Sequence, residues 1–202
     1  MKRWAASPLL SLALLFTLLT ASSRGFVADG GQAHSAAFES ARQKLESIAR
    51  NGESATPSTV PTVLTAREWN AYLNEGGVKL PEGISRIRIT SEPGIAHGEA
   101  EIDFDRLTAN RTRGNPLLYL FTGKHQVTVR AHAKAANGIG AVHVDFVAFD
   151  GVEIPRVALE YFARRYLRPR FGDAIAMDSR FRLHHRIDTA IVGAGQVAIT
   201  QR

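Results

Sequence analysis

The sequence predicts an α+β fold built on an antiparallel sheet. Three observations support that prediction. Two stretches, residues 84–105 and 126–149, alternate apolar and polar side chains with period two, each about a turn signal. Helical spacing is confined to segments outside them. The order is helix, hairpin, apolar loop, hairpin, helix, hairpin, with no repeat, which is the pattern of a mixed antiparallel fold with few helices.

Residues 1–23 read as a secretory signal peptide. Lys2 and Arg3 give a positive start, Leu9 to Leu19 form an apolar run broken by Ser11 and Thr17, and Ala21 and Ser23 are small. The run is about half of the ~20 residues that span a bilayer. An uncleaved N-terminal anchor is the rival reading. The expected location is periplasmic or secreted. The chain has no Cys, which argues against a lipid-modified N-terminus, disulfides, thiolate metal sites and a Cys nucleophile. The net charge is +6, and losing Lys2 and Arg3 with the signal leaves +4, a mild preference for anionic partners. No basic run interleaved with aromatics points to nucleic acid, so none is expected.

Residues 24–61 hold an extra N-terminal helix and a linker. Phe38, Ala41, Leu45 and Ile48 make one stripe over Ser35 to Arg50. Asn51-Gly52 reads as its stop. The following Pro, Ser and Thr residues read as linker.

The main domain is expected over 62–202. Thr65 and Glu68 form a capping box, flanked by Leu64 and Trp69 as a hydrophobic staple. Trp69, Tyr72 and Leu73 give that helix its apolar face. In the first hairpin Ile87 and Ile89 face one way and Arg86 and Arg88 the other. After the Pro93-Gly94 turn, Ala100, Ile102 and Phe104 alternate with Glu99, Glu101, Asp103 and Asp105. A tight pairing sets Arg88 opposite Glu99 and Arg86 opposite Glu101.

Asn137-Gly138 is the strongest two-residue hairpin signal in the chain. It sets Arg130 opposite Asp145 and His132 opposite His143 on a polar face. On the apolar face Val129 meets Phe146, Ala131 meets Val144 and Ala133 meets Val142. Between the hairpins Pro116–Phe121 is apolar with Arg111, Arg113 and Lys124 around it, a pattern that suits peripheral membrane contact; a loop buried over the sheet end is the alternative. Pro155 suits the first position of a helix whose stripe is Leu159, Phe162, Ala163, Tyr166 and Leu167. Arg156, Glu160, Arg164 and Arg168 line another side, and Pro169 ends it. The chain closes as two strands about Gly193-Ala194-Gly195, with His184-His185 inside one strand.

Catalytic signatures are sparse. There is no Gly-x-Ser-x-Gly, phosphate-binding glycine loop or His-Glu-x-x-His. His132 and His143 are a candidate zinc pair without an identifiable third ligand, and two exposed histidines on a wet face is the preferred reading. The carboxylates from Glu99 to Asp105 read as a solvated ladder facing arginines rather than a calcium or acid/base cluster. No metal, cofactor or catalytic residue is assigned.

The order of elements, with "LTAREWNAYLN", "LPEGISRIRIT…IAHGEAEIDFD", "GVEIPRVALEYF" and "IDTAIVGAGQVAIT", resembles the LmeA-like phospholipid-binding proteins of bacterial envelopes and, more distantly, the tubular lipid-binding (TULIP) fold. The resemblance covers Val63 to Thr200; the helix from Ser35 to Arg50 has no counterpart in it. It implies a curved antiparallel sheet wrapped around a long helix, with an apolar groove for acyl chains. The implied groove positions are Val157, Leu159, Phe162, Tyr166 and Leu167 on the helix and Val129, Val142, Val144 and Phe146 on the sheet. Arg164, Arg165 and Arg168 would lie near headgroups. The expected function is therefore an exported, non-enzymatic binder of phospholipid or another long apolar, fatty-acyl ligand. The alternative is an envelope interaction or scaffold module with a packed core and no ligand. A metal hydrolase using His132 and His143 ranks third.

Overall fold

The computed structural model describes residues 34–108, 121–167 and 177–202, the side chains of Thr108, Tyr166 and Leu167 excepted. Residues 1–23, expected above to be a signal peptide, lie outside these residues. Among them no helix is long and apolar enough to cross a membrane.

Helix α1 (Ala36–Glu53) begins where the sequence suggests. Ser35 is its N-cap, accepting at Oγ from the Phe38 amide at 3.1 Å. Phe38, Ala41 and Ile48 are buried. The helix does not stop at Asn51-Gly52 but runs through both to Glu53. Gly52 serves a close approach instead, because a Cβ there would lie 2.4 Å from the His185 carbonyl oxygen. Asn51 pins the next segment: its carboxamide donates to the Ser58 carbonyl at 2.9 Å and accepts from the Ser58 amide at 2.8 Å. The same nitrogen donates to Gln201 at 2.8 Å.

A short strand that the sequence reading missed, β1 (Thr62–Thr65), leads into α2 (Ala66–Asn74). The expected capping box is present. Thr65 Oγ1 accepts from the Glu68 amide at 3.3 Å and Glu68 Oε2 accepts from the Thr65 amide at 2.7 Å. Leu64 and Trp69 are both buried.

Strands β2 (Ile84–Glu92) and β3 (Ile95–Asp103) pair antiparallel about Pro93-Gly94, where Gly94 has φ 75°. Arg88 pairs with Glu99 as expected. Arg86 does not pair with Glu101: the register shifts between Ser85 and Arg88, Ser85 takes that place, and Arg86 stands in a bulge at φ 52°. Its guanidinium still reaches Glu101 at 3.1 Å. The expected alternation through Asp105 is also corrected, because the strand ends at Asp103 and the chain turns into α3 (Phe104–Thr108). This takes Asp105 out of the carboxylate row and sends Phe104 into the core.

Strands β4 (Lys124–Ala136) and β5 (Ile139–Phe149) form the central hairpin. Asn137 and Gly138 have φ 53° and 74°, as a two-residue turn of the mirror type requires. His132 pairs with His143, Ala131 with Val144 and Ala133 with Val142, as read from the sequence. Beyond them a bulge at Asp145 shifts the register by one. Val129 then pairs with Val147, and Phe146 with Arg130. With a side-chain period of two, that slip moves Phe146 from the expected apolar face to the outer one.

After β6 (Val152–Glu153), Pro155 is the N-cap rather than the first residue of α4 (Arg156–Phe162), which passes into a π-helical turn, Ala163–Leu167. The longest described helix is therefore α1, with 18 residues. The C-terminal part holds three strands where two were expected: β7 (Asp178–Arg182), β8 (Ile187–Gly193) and β9 (Gln196–Gln201). His184-His185 is not in a strand. It forms the turn before β8, with His185 and Arg186 at φ 53° and 54°.

All strand pairs are antiparallel, in one nine-stranded sheet of order β1-β9-β8-β4-β3-β2, with β5 on the far side of β4 and β6 and β7 on β5. β4 is shared: β3 accompanies it from Lys124 to His132, and β8 meets it at Ala135. Gly94 stitches the junction, donating to the Val192 carbonyl and accepting from the Ala133 amide, both at 3.0 Å. One buried cluster runs from Ala41 and Ile48 through Trp69 and Leu73 to Leu159 and Phe162. At the end strand β2, two side chains of α2 replace a neighbouring strand. Asn70 accepts from the Ile89 amide at 2.6 Å and donates to the Ile89 carbonyl at 2.8 Å. Asn74 does the same with Ile87, at 3.0 and 2.6 Å.

Candidate functional site

The sheet offers two candidate surfaces. The first is the apolar inner face of β4 and β5. Val129 and Val142 are buried there, and Val144 is half-buried against the core. Leu159 and Phe162 of α4 are buried in the same core cluster. Phe146 is not among them, for the bulge reason above. Val157 points away and is 75 % exposed. Arg164 and Arg165 are exposed. The side chains of Tyr166 and Leu167, and Arg168 as a whole, lie outside the described residues.

Four aromatics occupy this interior, a cluster the sequence reading did not foresee. Phe121 stacks on Phe162 with centroids 3.9 Å apart. Phe104 meets Phe121 and Phe162 edge-on at 5.8 Å, and Phe149 lies 5.0 Å from Phe104. Of the apolar segment Pro116–Phe121 expected at a membrane, Phe121 is fully buried; the remainder, with Arg111 and Arg113, lies outside the described residues. Further along, Gly140 makes room for the Phe181 ring, whose carbons would be 2.5 Å from a Cβ.

The second surface is the outer face of β4, β5 and β7. Their registers stack in rows. His132 pairs with His143 and His143 with Asp178; Lys134 pairs with Ala141 and Ala141 with Arg180. These residues line an open cleft of about 760 Å³. His132 Nδ1 lies 2.8 Å from Asp145 Oδ1, and Arg130 reaches the same carboxylate at 3.5 Å. His143 Nδ1 is bonded to Asp178, which also accepts from Arg156 Nη2 at 2.6 Å. The His143 bond, then the nearby His143 and Arg156 charges, hold the Asp178 carboxyl below the usual carboxylate range against the opposing effect of burial.

This network can hold a fixed array of donors over a shallow floor. Among the described residues no three His, Asp or Glu side chains are arranged to hold a metal ion. The facing of His132 and His143 was legible through the Asn-Gly turn. Asp178 was missed because β7 is a short edge strand without apolar alternation. Lys134 and Arg180 gain meaning only through the β5–β7 pairing.

Comparison with protein-family models, with curated proteins and with solved structures finds no match in any of the three.

Proposed function

We propose that this protein is an exported, non-enzymatic binder of phospholipid or another long apolar ligand at the cell envelope. The observation that supports it is the two-sided character of α4. Leu159, Phe162 and Ala163 are buried in the core cluster, whereas Val157 and Tyr161, one helical turn apart, are exposed. The same outward side ends in exposed Arg164 and Arg165. An apolar outer stripe with a basic end suits the boundary between acyl chains and anionic headgroups. In this reading the sheet curves about α4 and the turn after it, and acyl chains enter along the inner face beside Val142 and Val144. The resemblance to LmeA-like and tubular lipid-binding proteins points the same way, as does the signal-like N-terminus.

Native mass spectrometry of gently purified full-length protein tests this. A co-purifying lipid mass, displaced by an apolar dye, is the expected result. Bare polypeptide together with failure of fatty acids and phospholipids to displace such a dye counts against it. The second reading, an envelope scaffold without ligand, draws support from the mutual packing of Phe104, Phe121, Phe149 and Phe162, all buried in the interior.

A further inference from the structure

We propose that Lys134 and Arg180 form a binding site for a phosphate-type oxyanion on the outer face of β4, β5 and β7. The site would persist even if the interior took no lipid. Lys134 and Arg180 stand in one row, on either side of Ala141. Two strand spacings put their backbones roughly 10 Å apart, a distance two long side chains close easily around a small guest. Ala141 between them has only a methyl group, so the floor is low where the cations flank it. All three line the cleft.

The charges make this cleft unusual on this surface. Among the described residues no ion pair joins Lys134 or Arg180 to an acid, whereas the nearby acids are already engaged. Asp178, which lines the same cleft, is held by His143 and Arg156. Asp145 is held by His132 and Arg130. Two cations thus face a hollow with no anion of their own. A tetrahedral phosphate group can accept from the ammonium and the guanidinium together, and charge-assisted bonds of this type are the strong ones. His132 and His143, one row along, can donate to further oxygens of a larger ligand.

The test uses the full chain. Inorganic phosphate is titrated while amide shifts are followed by NMR, and sedimentation is measured with phosphatidylglycerol and phosphatidylcholine vesicles. Expected are phosphate-induced shifts concentrated at residues 132–134, 141–143 and 178–180, at least tenfold weaker affinity for the Lys134→Ala/Arg180→Ala variant, and near-normal affinity for Lys134→Arg. Arg67→Ala removes an exposed cation of α2 and should change affinity less than twofold. Saturation by phosphate identifies a soluble phosphate source. Binding only to phosphatidylglycerol vesicles, lost on replacing Lys134 and Arg180, identifies a lipid headgroup. Val157→Asp/Tyr161→Asp should leave phosphate binding intact, which separates this site from the α4 surface. No response to either probe, or an equal loss in Arg67→Ala, overturns the proposal.

Discussion

Lys44 and Glu68 meet at 2.6 Å across the contact between α1 and α2. The same carboxylate accepts from the Ser40 hydroxyl at 2.5 Å and from the Thr65 amide at 2.7 Å. One side chain therefore closes the capping box of α2 and ties α1 to it. Burial alone would raise the Glu68 carboxyl, but the bonds from Lys44, Ser40 and Thr65 outweigh it and lower it from 4.5 to about 2. A group more acidic when folded stabilises the fold above its unfolded value and loses that effect as pH falls through the folded one. Glu68→Gln should cost about 1–3 kcal/mol at pH 7. Urea unfolding of both proteins should show the difference shrinking as pH falls from 4.5 toward about 2. A pH-independent difference contradicts the assignment.

Gly52 should resist replacement by the better helix former. Ala gains about 1 kcal/mol over Gly in a helix interior, yet its Cβ would meet the His185 carbonyl at 2.4 Å. Gly52→Ala is expected to destabilise by about 1–3 kcal/mol through forced separation of α1 from the turn before β8. Thermal melts with unchanged or raised midpoint would contradict this.

Phe162 is fully buried and stacked on Phe121. Truncation to Ala should cost about 3–5 kcal/mol, read by denaturant midpoint. If the interior also takes apolar ligands, the enlarged space should tighten binding of a small apolar dye in the fraction that remains folded.

The exposed pair Val157 and Tyr161 should matter little for stability. Val157→Asp/Tyr161→Asp is expected to stay within about 1 kcal/mol of the parent, as surface changes usually do. Vesicle association should fall at least fivefold. Unaltered association would remove α4 from the proposed lipid contact.

The legible parts of the fold are those fixed by neighbours in sequence. Ser35, the Thr65–Glu68 box and Asn137-Gly138 each act over two or three residues, and each lies where the sequence puts it. Errors arise where a distant segment decides. Gly52 looks like a helix stop until the His185 backbone is known to lie against it. Asp145 looks like one more strand residue, and no local signal marks it as the bulge that turns Phe146 outward. The Asp178–Arg182 strand owes its existence to pairing with β5 rather than to its own pattern. The cleft was half-visible for the same reason: its His132–His143 row follows from a hairpin, but its third strand does not.

The carboxamides of Asn70 and Asn74 bear on how the protein behaves in a crowd. Each uses both its donor and its acceptor on the backbone of β2. The amides and carbonyls of Ile87 and Ile89 are thereby unavailable to a strand from another molecule, and an open sheet edge is a template for such addition. α2 thus covers this stretch of the edge against strand addition. Asn70→Ala/Asn74→Ala should uncover the edge and raise concentration-dependent fibril or oligomer formation, followed by light scattering and thioflavin fluorescence. A double variant that stays monomeric would place the protection elsewhere along β2.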